Sequence, residues 1–258
     1  MRKIYTSVDL GSDSIKVLVG EVYNNRLCVL ATSTVKSKGI KKGLIVDANE
    51  ALATIRDAIS EVEGKLSISI NKVIANVPSY YANFDIVNAE ILKSDDDLRI
   101  NGSDIFKVLQ VAVKSKMKKD REFVTIIPIN FTVDDKKNIK DPKNLSGRKL
   151  GVKGMLVTTP LKNVQSIVSI FQSLNIDVID MSFGSIADYE EFKNNATDKG
   201  ISAVINIGYD ITTVSLFNKG IIINSEIIQI GSKNIDNDIS YVFKTDKKTS
   251  QKLKENFA

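Results

Sequence analysis

Two segments of the chain repeat one pattern 197 residues apart. Val8-Asp9-Leu10-Gly11-Ser12-Asp13-Ser14-Ile15-Lys16-Val17 stands near the start, and Ile205-Asn206-Ile207-Gly208-Tyr209-Asp210-Ile211-Thr212-Thr213-Val214 near the end. Each has an apolar run, an Asp or Asn, a Gly two residues on, polar residues and a second β-rich run. That order predicts strand, tight turn, strand. A chain that builds the same hairpin twice in matched contexts points to a duplicated fold. Two glycine-bearing turns facing each other can clamp a phosphate chain between them, so the repeat suggests nucleotide binding.

Composition narrows the chemistry. The 258 residues, 43% hydrophobic, suffice for one large domain or two small ones with real cores. No apolar stretch approaches the roughly 20 residues that span a bilayer. Met1-Arg2-Lys3 runs straight into a strand, without the apolar core of a signal peptide. The single cysteine, Cys28, lies in Leu27-Cys28-Val29-Leu30 and is expected to be a buried small hydrophobe in a reducing cytoplasm. There is no histidine, which excludes His bases, His triads and His metal sites. With one cysteine, a thiolate zinc site is excluded too. Any metal would be a hard cation on oxygen ligands and phosphate, which points to Mg²⁺. The net charge is +5. Its densest basic patch, Lys114, Lys116, Lys118, Lys119 and Arg121, reads as a solvated helix end or a contact for nucleic acid or acidic lipid.

The rhythm of the chain divides it. Ile4 to Asp9, Ile15 to Val22 and Leu27 to Thr34 read as strands, turned at Gly11 and Asn24-Asn25. Asp47 opens a helix with Glu50 as capping partner and Leu52, Ile55, Ile59 and Val62 on one face; Gly64 ends it. Lys72 to Val77 is a strand stopped by Pro78. From Phe84 the pattern changes to strand (to Leu92), a helix capped by Ser103, and strands Phe123 to Val133 and Val152 to Thr159. A polar loop, 134–149, joins the last two strands. Asp95-Asp96-Asp97 reads as a solvated turn or a weak metal site. A helix (Leu161 to Leu174), a strand (Asp177 to Phe183) and a helix (Ile186 to Phe192) follow, then a hinge at 194–200. From Ile201 the opening restarts: three strands and two short helices. The division expected is 1–83 plus 161–196, an inserted small α+β unit at 84–160, and a partial second unit at 197–258.

The turns carry the candidate chemistry. Gly11 lets the backbone approach phosphate, Ser12 adds a hydroxyl donor, and Lys16 an ammonium. Asp9, at a strand end, is placed to hold hydrated Mg²⁺. In the second turn Gly208 is the close-approach glycine, with Thr212 and Thr213 as hydroxyl donors. Asn206 stands where the first copy has Asp9, a weaker metal ligand. Asp210 is expected to repel phosphate unless a cation bridges it. Gly231, before the last-but-one helix, offers a third anion site at a helix N-terminus.

Two phosphate hairpins in duplicated domains are the pattern of the actin, heat-shock chaperone and sugar-kinase superfamily. Within it the chain resembles FtsA, the bacterial actin-like cell-division family. The likeness runs through Val8-Asp9-Leu10-Gly11-Ser12 with Lys16, Val19-Gly20-Glu21 and Ser37-Lys38-Gly39-Ile40-Lys41-Lys42-Gly43-Leu44-Ile45-Val46-Asp47. It continues in Ile127-Pro128-Ile129, Ile139-Lys140-Asp141-Pro142 and Leu145-Ser146-Gly147, and in the strand-helix-strand-strand insertion.

The resemblance implies an α/β, actin-like ATPase (ribonuclease H-like) fold with ATP and Mg²⁺ in the cleft and at most a weak ATPase. It also implies self-association into filaments and partnership with FtsZ and other divisome proteins, on the cytoplasmic face of the membrane at the division site, with no nucleic acid. The family continues with a subdomain that contacts FtsZ, a glycine motif for adenosine and an amphipathic membrane helix. No stretch here matches these, so ATP affinity is expected to be weak. A degenerate scaffold without nucleotide, a pilus-type assembly ATPase and a small-molecule kinase are the alternatives.

Overall fold

The computed structural model describes residues 3–24, 26–93 and 97–257. The Asn25 half of the first predicted turn, and Asp95 and Asp96 of the acidic run, lie outside them.

The opening strands pair as their alternation dictates. β1 (Lys3–Leu10) lies antiparallel to β2 (Ser14–Tyr23), and β2 to β3 (Arg26–Lys36). A two-residue hairpin follows, β4 (Ile40–Lys41) and β5 (Leu44–Ile45). Its turn, Lys42-Gly43, has positive φ at both residues, the twist a short hairpin demands. Helix α1 (Ala48–Leu66) is capped by the Asp47 carboxylate, which accepts from Asn49 and Glu50 N–H. It runs through Gly64 and stops at Ser67, which takes the left-handed conformation and bonds back to Glu63. Gly64 is therefore not the terminator: α1 continues two residues past it, to the left-handed Ser67. β6 (Lys72–Val77) then lies parallel to β1.

The next unit is β7 (Asn83–Leu92), α2 (Gly102–Lys116), β8 (Arg121–Val133), β9 (Lys136–Ile139) and β10 (Lys149–Pro160), in sheet order β7-β10-β8-β9. Two expectations are corrected. The cap of α2 is Asn101, in a reciprocal box with Asp104, not Ser103. The loop 134–149 holds β9, which pairs back on β8. Of the basic patch, Arg121 is structural: its guanidinium donates to the Thr158 hydroxyl and to the Tyr81 and Thr158 carbonyls.

α3 (Leu161–Gln172), β11 (Asp177–Phe183) and α4 (Gly184–Phe192) return to the first sheet, with β11 parallel to β6. That sheet reads β11-β6-β1-β2-β3. The predicted hinge is stitched by Asn194, whose side chain accepts from Ala196 and Thr197 N–H, and by Asp198, which accepts from the Tyr189 hydroxyl. The final unit is β12 (Ile201–Ile207), β13 (Thr212–Asn218), β14 (Ile221–Ile228), α5 (Ser232–Phe243) and α6 (Lys247–Phe257), its strands antiparallel in that order.

Three apolar clusters hold these parts. One packs α1 and α3 on the first sheet, around Val8, Ile15, Val17, Ile55 and Phe171. A second sits between α2 and its sheet, around Val108, Phe131 and Leu156. The third joins all three regions: Val124 and Val157, Phe183 and Tyr189, and Phe217 and Ile222. There Tyr189 stacks on Phe217 with ring centroids 4.1 Å apart. Cys28 is exposed, not buried, because β3 is an edge strand and the apolar run it sits in faces outward. No helix of the described residues is long and apolar enough to cross a membrane.

Candidate functional site

The repeat is also a repeat of geometry. In the first hairpin Asp9 pairs across with Lys16; in the second, Asn206 pairs across with Thr213. A Cβ on Gly11 would stand 2.6 Å from the Ser14 carbonyl oxygen, and one on Gly208 would stand 2.9 Å from the Ile211 carbonyl oxygen. Both glycines are thus required by their own turn, three residues before the carbonyl they approach. This shifts the reason for Gly11: a side chain there meets the hairpin itself before it meets any ligand.

Both turns open on one cleft of about 470 Å³, within the range of small-molecule sites. Asp9, Gly11, Ser12, Lys16, Asn206, Gly208 and Thr213 all line it. Ser12 Oγ accepts from the Gly43 N–H at 2.8 Å, which ties the β4–β5 hairpin to the first turn and leaves the hydroxyl hydrogen to donate. The Gly208 N–H is committed to the Ile211 carbonyl at 2.9 Å, so it serves the turn and not a ligand.

Asp9 is oriented by Asn76 of the neighbouring parallel strand. The Asn76 amide donates to Asp9 Oδ1 at 2.7 Å and accepts from the Leu10 N–H at 2.9 Å. Burial pushes the Asp9 carboxyl above its ordinary value; Lys16 opposes this, and Asp188 adds to it.

Three expected residues are placed differently. Asn206 lines the cleft, but its Nδ2 donates to Asp188 Oδ2 at 2.8 Å, so its amide is engaged in orienting that carboxylate. Thr212 stands outside the lining, since its hydroxyl donates to the Ile230 carbonyl at 2.8 Å. Gly231 is not an anion site. Its N–H donates to Asn234 Oδ1, and the N–H groups of Ser232 and Lys233 donate to the Gly208 and Tyr209 carbonyls. The N-terminus of α5 therefore supports the second turn. Gly231 is small because a Cβ would lie 2.3 Å from the Tyr209 carbonyl oxygen.

Asp210 does not stand free against the cleft. Its carboxylate accepts from the Lys42 N–H at 3.0 Å and pairs with Lys233 at 3.2 Å. The ammonium groups of Lys36 and Lys233 both lie over the Tyr209 ring, 5.1 and 5.5 Å from its centroid. Lys42 also donates to Gln229 at 2.6 Å. The β4–β5 hairpin thus bridges the cleft from the first turn to the second.

Sequence reasoning missed Asn76, Lys162 and Asp188, all of which line the cleft. No local pattern marks them. Asn76 lies one residue before the end of β6, Lys162 in the first turn of α3, and Asp188 in the middle of the short α4.

Comparisons with known proteins agree with this architecture. Residues 84–158 match the family described as "SHS2 domain inserted in FTSA", and residues 203–258 the family "Cell division protein FtsA". The cell division protein FtsA of Streptococcus pneumoniae is 32% identical over 253 residues, covering 98% of this chain and 55% of that protein. That of Bacillus subtilis is 29% identical over 258 residues, covering 98% and 58%. The chain spans a little over half the length of these relatives. Among solved structures, the PilM-PilN type IV pilus biogenesis complex superposes with a TM-score of 0.63 at 11% identity, covering 98% of this chain and 69% of that one. MreB5 of Spiroplasma citri bound to ADP gives 0.53 at 12% identity, covering 98% and 61%. Their likeness is one of fold. With both family matches and relatives aligned along nearly all its residues, the chain is FtsA-like, an actin-like ATPase fold carrying the FtsA-type insertion.

Proposed function

We propose that the cleft binds a nucleoside triphosphate, ATP by likeness to the family, and that the chain serves an actin-like scaffold of bacterial cell division. One observation carries the nucleotide reading: two homologous turns with the same glycine geometry face one cleft that holds Lys16 on one side and Thr213 on the other. The Ser12 hydroxyl and the Lys16 ammonium are donors for phosphate oxygens. Lys162, also on the lining, adds a second cation.

The donor set fits Mg²⁺ held partly by the ligand. Among the described residues no group of three or more acids could hold a metal alone. Asp9 and Asp188 both line the cleft, and Asp188 adds to burial in pushing the Asp9 carboxyl up, so a cation between them and a phosphate chain relieves their repulsion. Asp9 and Asp188 would hold it, and Mg²⁺ would neutralise phosphate charge there. Asn206 orients Asp188, and Asn76 orients Asp9.

The division 1–83 plus 161–196, 84–160 and 197–258 is proposed with it, the cleft lying between the first and last parts. So are self-association into filaments, linkage to FtsZ and other divisome proteins, and a place at the inner face of the membrane. A second reading, a scaffold that has lost its nucleotide, draws on the neutral Asn206 and Thr213 pair that stands where the first hairpin has Asp9 and Lys16.

Titration calorimetry of the chain with ATP and Mg²⁺ separates the two. Saturable binding, weakened without Mg²⁺, supports the first; no heat at millimolar ATP leaves the second. Co-pelleting with FtsZ filaments tests the partner, and an unchanged supernatant would remove it.

A further inference from the structure

A second groove lies on the inserted unit. β7 is the outer strand of its sheet: β10 takes one edge, and among the described residues no strand takes the other. Among the described residues its outer backbone N–H and C=O groups make no ladder bonds, as on any edge strand. Helix α2 packs against β7. Lys107, Gln110, Val111 and Lys114 fall at i, i+3, i+4 and i+7, one stripe of the helix, and wall a groove of about 290 Å³ that reaches Leu92.

The charge of the groove is one-sided. Among the described residues Asp104 is the one carboxylate in its wall, and the Lys93 ammonium neutralises it at 2.5 Å, both side chains being buried. Lys107 adds to the positive field on Asp104, while Asp104 makes its ion pair with Lys93. On the opposite face of the sheet β7 presents Ile86, Asn88, Glu90 and Leu92; Glu90 is paired with Lys149, and Ile86 and Leu92, at the two ends, are 50% and 76% exposed.

We propose that β7 accepts an added strand from a protein partner: an extended acidic segment with apolar residues at alternate positions. Strand addition satisfies the open backbone groups. Side chains of the added strand on the α2 face meet Lys107 and Lys114, which selects Asp or Glu. Those on the other face lie beside Ile86 and Leu92, which selects Val or Ile. The lysines stand about 10 Å apart along the helix. Same-face positions of a strand recur every ~7 Å, so carboxylates two or four residues apart reach both. A second copy of this chain is a poor occupant, because pairing β7 with β7 sets one lysine stripe against the other. The inference is independent of the nucleotide reading.

The probe is a fluorescent peptide of about seven residues alternating Glu and Val, titrated against the whole chain by anisotropy. Saturable binding that weakens with salt is expected. The double variant Lys107→Glu/Lys114→Glu should lose at least roughly tenfold in affinity and gain binding to a matching Lys/Val peptide. N-methylation of alternate peptide amides should abolish binding, because only a paired strand needs them. Both lysines are exposed, and a circular dichroism melt checks that the variant folds. The proposal is overturned if the Lys/Val peptide binds the native chain equally, if the N-methylated peptide binds unchanged, if the double variant keeps full affinity, or if the Glu/Val peptide shows no saturable binding.

Discussion

At the scale of the residue, the cleft depends on a few charges and two turns. Lys16→Met should weaken ATP binding by roughly tenfold or more, the contribution of a charge-assisted hydrogen bond, measured by calorimetry. Asp9 sets a pH dependence. Its folded carboxyl titrates above the ordinary 3.8, so the folded chain holds a proton that the unfolded chain has released. The stability from this group is full below pH 3.8 and declines as pH rises through the folded value. Asp9→Asn removes that decline. In Mg²⁺-free buffer at neutral pH the variant should melt at a higher temperature than the native chain, and its ATP binding should no longer respond to Mg²⁺. A lower melting temperature would show that the Asn76 contact needs the charge. Gly11→Val should cost about 2 kcal/mol of stability through the collision with the Ser14 carbonyl, seen in urea unfolding with no ligand present. The pattern Asp-x-Gly was legible because it is local. Asp188 was not, because it reaches the cleft from a helix 18 residues before Asn206.

At the scale of the element, caps and buried pairs decide what propensity leaves open. Asn101→Ala removes the side-chain half of the box that starts α2, leaving the Asn101 N–H bonded to Asp104, and should cost about 1 kcal/mol. Ser103→Ala should cost little, since its side chain is exposed and is not the cap. Lys93→Met leaves the Asp104 carboxylate buried without its cation. A loss of about 3 kcal/mol is expected, partly restored by Lys93→Met/Asp104→Leu; equal stabilities in a double-mutant cycle would show the pair to be idle. The extents of β6 and β11 were read correctly from their apolar runs and flanking turns. The start of α2 and the strand β9 were not: an Asn cap and a short polar hairpin look like loop until their tertiary partners are known.

At the scale of the whole molecule, the cleft is closed by few contacts. The β4–β5 hairpin reaches from Ser12 to Asp210 and Gln229, and the Tyr189–Phe217 stack joins α4 to β13. Asp210→Ala removes the acceptor of the Lys42 N–H and the partner of Lys233. The two sides should then separate more freely, raising the radius of gyration in small-angle scattering without ligand, with ATP and Mg²⁺ restoring the compact value. Identical scattering curves for both chains would show that the apolar junction alone sets the closure.

The duplication, the two turns and the inserted strand-helix-strand-strand unit were determined by the sequence itself, because period and glycine placement act over a few neighbouring residues. Which groups face one another was decided only in three dimensions. Asn206 turned to Asp188, Thr212 to a backbone carbonyl, Gly231 to the support of a turn and Cys28 to solvent, because direction depends on strand order and on the partners that packing brings near.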